Sequence, residues 1–91
     1  MTYEEEIKPH RKTIDRLNDE IIEKIAERQE AAQAIGHIKQ RYRKPVVDKI
    51  REQAILDKIK AKAPAKGLDP DALERIFKEI IKLCTEAEEK H

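Results

Sequence analysis

The sequence predicts an all-α chain of three helices, the first very long, assembled as an intertwined homodimer. Three observations predict it. Charged residues make up 43% of the 91 positions, against about 25% in an ordinary soluble domain. There is no Trp, one Phe, two Tyr and only two Gly, a poor supply for strands and tight turns. Apolar residues also recur at helical spacing through a first segment of about 38 residues, a rod near 57 Å at helical rise.

The first helix is read from about Glu4 to Tyr42. Pro9 is tolerable in its opening turns, and no proline follows until Pro45. With Ile14 at zero and about 100° per residue, Leu17, Ile21, Ile25, Ala32 and Ile35 fall within roughly 60° of it. The linker RYRKPVV ends the helix before Pro45. A second helix starts near Asp48 and runs to about Lys62, with Ile55 and Ile59 on one face. KAPAKGL is read as a loop. Asp69-Pro70-Asp71 then opens a third helix: an acidic cap, a proline at the first helical position, and a second acid at the positive end of the dipole. Leu73, Ile76, Phe77, Ile80, Cys84 and Ala87 are its expected inward face.

By length the chain is one domain, 1–91. Yet a rod of that length overhangs a compact chain of this size, whose radius of gyration would be about 12 Å. The stripe continues along most of the rod, and a second copy of the chain is the economical cover for it.

Composition narrows the function classes. Twenty cations against nineteen acids leave a net charge of +1, which argues against a protein built to coat nucleic acid or an anionic membrane. The lone Cys84 allows no internal disulfide, and with three scattered histidines it makes no metal signature. No apolar run is long enough to cross a bilayer, and MTYEEEIKPHRK has no signal-peptide core, so a cytoplasmic protein is expected. Heavy Lys and Glu use suits a thermophile. His37 reads as a solvated residue, His10 as one that packs beside Arg11 near the helix start, and Lys58, Lys60, Lys62 and Lys66 as a solvated helix end.

Charges inside the apolar stripes carry the functional signal, because burying an unpaired charge is costly. Arg28 lies about 40° from Ile14 and Lys39 about 20°, some 16 Å apart along one face. Asp48, Arg51 and Glu52 share the face of the second helix that continues into Ile55 and Ile59. Glu88 returns to within about 20° of Phe77, one turn beyond Cys84. A bland reading has the Arg and Lys stems lying on apolar surface with their heads in water. Another pairs Arg28 with Glu52 and Lys39 with Glu88 in an internal network, a poor stability device. Six inward polar groups on three helices fit a site for a small dianion better, with a carboxylate to accept from a hydroxyl. Arg11, at the stripe edge and more than about 25 Å along the rod from Arg28, reaches such a site only across an antiparallel dimer.

These residues resemble the all-helical class of chorismate mutase. The segments are His10-Arg11-Lys12-x-Ile14-Asp15-x-Leu17-Asn18, Ala26-Glu27-Arg28, Ile35-Gly36-x-Ile38-Lys39, Pro45-Val46-x-Asp48-x-x-Arg51-Glu52, and Ile76-Phe77-x-x-Ile80-Ile81 before Cys84 and Glu88. The resemblance implies a domain-swapped helical dimer that converts chorismate to prephenate in phenylalanine and tyrosine synthesis, without metal or cofactor. It implies that Arg11 reaches a substrate carboxylate in the partner's site and that Arg28 binds the other. Lys39 would donate to the ether oxygen, Asp48 and Glu52 would hold the ring hydroxyl, and Arg51 would line the site. Cys84 stands where many members have Ser, and a thiol is a weaker donor; Glu88 stands where many have Gln, and it donates only when protonated. An isochorismate-pyruvate lyase shares the fold and many of the cations. A non-catalytic dimeric helical adaptor explains the long helix but not the inward charges.

Overall fold

A computed structural model describes residues 1–90. Helix α1 spans Tyr3–Arg41, α2 Lys49–Lys62 and α3 Pro70–Glu89, with a short 3₁₀ turn at Pro64–Lys66. No strand occurs among the described residues.

The helix ends follow from local chemistry. Thr2 Oγ1 accepts from the Glu5 N–H at 3.2 Å, and three glutamates occupy the first turn of α1. Acids there oppose the positive end of the helix dipole. Asp48 caps α2 by accepting from Arg51 N at 2.9 Å, and Asp69 caps α3 by accepting from Ala72 N at 3.0 Å. Pro70 takes the first helical position of α3, where its missing N–H costs nothing. The 3₁₀ turn, absent from the sequence reading of KAPAKGL, closes on Gly67 at φ +68°, a left-handed conformation that glycine adopts without steric cost.

Helix α3 packs against both α1 and α2, and α1 and α2 are joined chiefly through it. The buried apolar residues are mostly small: Ala32, Leu56, Ala63, Ile81, Cys84 and Ala87. The chain is elongated, 62 × 27 × 15 Å, with a radius of gyration of 17.3 Å against about 12 Å for a compact chain of this length. The excess is the N-terminal part of α1, where residues 8–24 are all exposed. Ile14 and Ile21 are each 55% exposed there.

Two expectations are corrected, those for Ile76 and Lys60. Ile76 is 56% exposed, and Ile81 is buried in its place, because α3 turns a slightly different face to its neighbours than the Phe77-centred reading assumed. On α2, Leu56 is buried while Ile55 and Ile59 are only half-buried. Lys60 is not simply solvated. Its Nζ lies 3.5 Å from Asp71 Oδ1 and 3.6 Å from Glu74 Oε2, joining the end of α2 to the start of α3. Glu74 and then Asp71 hold its pKa above the ordinary lysine value. The bridge therefore persists through neutral pH and is lost only as pH rises through that elevated pKa. Its exposed setting keeps the contribution small.

Candidate active site

Of the eight residues singled out in the sequence, seven line one cavity of about 400 Å³: Arg28, Lys39, Asp48, Arg51, Glu52, Cys84 and Glu88. The cavity lies between the C-terminal half of α1, the first two turns of α2 and the last turns of α3. Ala31, Ala32, Ile35, Val46, Ile55, Ile81 and Thr85 complete its walls. Sequence phase places Arg28 and Lys39 on one face of α1, and α3 supplies the opposing carboxylate.

Lys39 is the best-anchored cation. Its Nζ donates to the Val46 carbonyl at 2.7 Å and to Glu88 Oε2 at 3.4 Å. The Lys39 side chain is 22% exposed and that of Glu88 10%. An ammonium has three N–H donors, so two internal partners leave one for a bound molecule. Val46 is the site member that the sequence could not reveal as such. It acts through a backbone carbonyl, which carries no side-chain signature.

The acids of α2 are held differently. Asp48 lines the cavity and commits Oδ1 to the helix cap, which leaves Oδ2 as a further acceptor. Glu52 Oε2 lies 3.4 Å from Lys49 Nζ. The anticipated Arg28–Glu52 pair is not formed; Arg28 has no ion pair among the described residues. The Lys39–Glu88 pair does form. Cys84 is buried and is one of the lining residues.

The lining thus sets three cations (Arg28, Lys39, Arg51) against three carboxylates (Asp48, Glu52, Glu88). With every group ionised its formal charge is zero. Such a surface suits a ligand that is both anionic and hydroxylated: separate cations grip separate anionic groups, and free carboxylate oxygens accept from a hydroxyl.

Arg11 stands apart. It is exposed on the overhanging part of α1, its Nη1 3.4 Å from Glu4 Oε2. It is about 25 Å along the helix from Arg28 and outside the cavity of its own chain. His10 and His37 are exposed. Among the described residues no cluster of His, Cys, Asp and Glu is arranged to hold a metal, and no helix is long and apolar enough to cross a membrane.

The bifunctional chorismate mutase/prephenate dehydratase of Aquifex aeolicus (strain VF5) is 39% identical over 89 residues, which cover 94% of this chain and 25% of that protein. The chain thus spans about a quarter of the length of that relative. The family described as chorismate mutase type II matches residues 10–89, and the chain belongs to that family.

Proposed function

We propose that the chain catalyses the rearrangement of chorismate to prephenate in a homodimer, each cavity being completed by Arg11 of the partner subunit. The convergence of Arg28, Lys39 and Arg51 with Asp48, Glu52 and Glu88 in one cavity carries the proposal. Family membership points the same way.

The reaction is an intramolecular pericyclic rearrangement. It needs no nucleophile and no general base. What it needs is a flexible dianion held in its folded conformer and stabilisation of the negative charge that grows on the ether oxygen as the carbon–oxygen bond breaks. Arg28 and the partner's Arg11 clamp the two carboxylates. Asp48 and Glu52 accept from the ring hydroxyl, and Arg51 lines the site beside them. Lys39 gives its remaining N–H to the ether oxygen. Cys84 supplies only a weak donor toward a carboxylate.

Charge balance favours the partner's arginine. A dianion entering an electroneutral lining finds no net countercharge. Arg11 from the second subunit adds one positive charge toward the ligand's two negative ones. The exposed stripe through Ile14, Leu17 and Ile21 is the surface along which the second copy packs.

Glu88 is the carboxylate paired with Lys39. An ionised carboxylate has no donor and repels a developing oxyanion, whereas a protonated one donates to it. Glu88→Gln supplies a donor at every pH and should change the pH–kcat profile. A pH–kcat profile that Glu88→Gln leaves unchanged would remove Glu88 from the ether-oxygen role.

The direct test is loss of chorismate's ultraviolet absorbance on mixing with purified protein at mildly acidic and mildly alkaline pH, with identification of the product. Prephenate is the expected product. Turnover of isochorismate alone would make the protein a lyase, and a folded dimer inert toward both would leave the adaptor.

A further inference from the structure

The cavity lining, electroneutral as it stands, does not by itself attract a dianion from solution. The countercharge lies just outside it. Residues 39–51, which run from the last turn of α1 through the connecting loop into the first turn of α2, carry six cations and one carboxylate, a net of +5, of which Arg41, Arg43, Lys44 and Lys49, a net of +4, lie outside the lining. The whole chain is +1, so the other 78 residues carry −4. No other part of the molecule matches this asymmetry in so short a stretch. The segment is also tied to the cavity, since Lys39, Val46, Asp48 and Arg51 belong to both.

Two cations of this segment have no internal task. Arg43 and Lys44 are exposed and form no ion pair among the described residues. Arg41 lies over the Tyr42 ring, 6.0 Å from its centroid, and Lys49 pairs with Glu52. Backbone geometry holds Arg43 and Lys44 in place. Arg43 N donates to Gln40 O at 3.2 Å, and Lys44 N to Lys39 O at 2.8 Å, so the loop folds back on the helix turn that carries Lys39. Arg43 adopts φ +56°, the one non-glycine residue with positive φ among the described residues. A non-glycine side chain in that left-handed region carries a backbone cost that glycine would not incur. Stability alone therefore does not account for an arginine at this turn.

We propose that Arg43 and Lys44 form an electrostatic funnel that draws a dianionic substrate toward the cavity without touching it once bound. The positive end of the α2 dipole, whose first turn lines the cavity, adds to the same field. Because the field acts on the free dianion, its effect falls on kcat/KM and on ionic-strength dependence rather than on kcat. The inference rests on the dianionic substrate of the proposed function.

The test compares wild type with Arg43→Gly and with Arg43→Gly/Lys44→Gln at low and high ionic strength. The glycine relieves the left-handed strain, so the thermal midpoint should not fall, while kcat stays unchanged. The double variant should lose on the order of tenfold in kcat/KM at 10 mM salt and about threefold at 0.1 M, with a shallower salt dependence. An unchanged kcat/KM, or a loss equal at all salt concentrations, overturns the funnel. Calorimetric binding of phthalate, a small aromatic dicarboxylate, reads the same field without turnover. Weaker low-salt binding by the double variant supports the funnel even if wild type fails to convert chorismate, in which case only the proposed reaction falls. Equal phthalate binding by the two proteins overturns the funnel even where chorismate is converted.

Discussion

Lys39→Ala should lower kcat for chorismate by about a thousandfold or more, with a much smaller change in KM. Lys39 Nζ is already held by the Val46 carbonyl at 2.7 Å and by Glu88 at 3.4 Å. Its third donor is therefore fixed in direction before substrate arrives. A preorganised donor aimed at charge that appears only in the transition state acts on kcat, because the ground-state ether oxygen gains little from it. Removing one neutral donor of that kind typically costs about 3–4 kcal/mol, and a charged one costs more. The substitution also leaves the largely buried Glu88 carboxylate without its cation, a destabilising change in its own right. Lys39→Ala/Glu88→Gln separates the two effects. It should recover thermal stability and remain poorly active. Recovery of near-wild-type kcat by that double variant would show that Lys39 serves the fold and not the reaction.

Arg11→Ala should lower kcat/KM by about thirty- to a hundredfold, the loss expected for a charge-assisted contact to a carboxylate. A role in its own chain's cavity is ruled out by position, since Arg11 sits on the exposed overhang. Subunit mixing makes the prediction specific. In a heterodimer of Arg11→Ala and Lys39→Ala chains, one cavity has its own Lys39 and an intact arginine from its partner. The other cavity lacks both. Random reassortment makes about half of the dimers mixed, so about a quarter of all cavities regain the full set. Two nearly inactive proteins should therefore yield about a quarter of wild-type activity after denaturation and refolding together. Absence of any gain would mean that Arg11 does not cross between subunits.

Much of this candidate site is legible in the sequence. Charge placement at helical phase singled out Arg28, Lys39, Asp48, Arg51, Glu52 and Glu88, because a fixed angle per residue turns spacing into direction. The same arithmetic separated Arg11 from the rest. Phase does not say which residue on a neighbouring helix stands opposite, and there the reading was less exact. Arg28–Glu52 and Lys39–Glu88 were equally plausible pairs on paper, and only the second forms.

The sequence by itself determined the helices and their caps. Asp48, Asp69-Pro70 and the Pro45 break act through bonds within a few residues, so no distant contact is needed to place them. The tertiary structure alone decided how those helices meet. It set the rotation of α3 that buries Ile81 and exposes Ile76, the Val46 carbonyl as an anchor for Lys39, and the turn that brings Arg43 and Lys44 beside the cavity. Each of these depends on packing between segments far apart in sequence or on backbone direction in a loop. Neither leaves a mark in residue type or spacing.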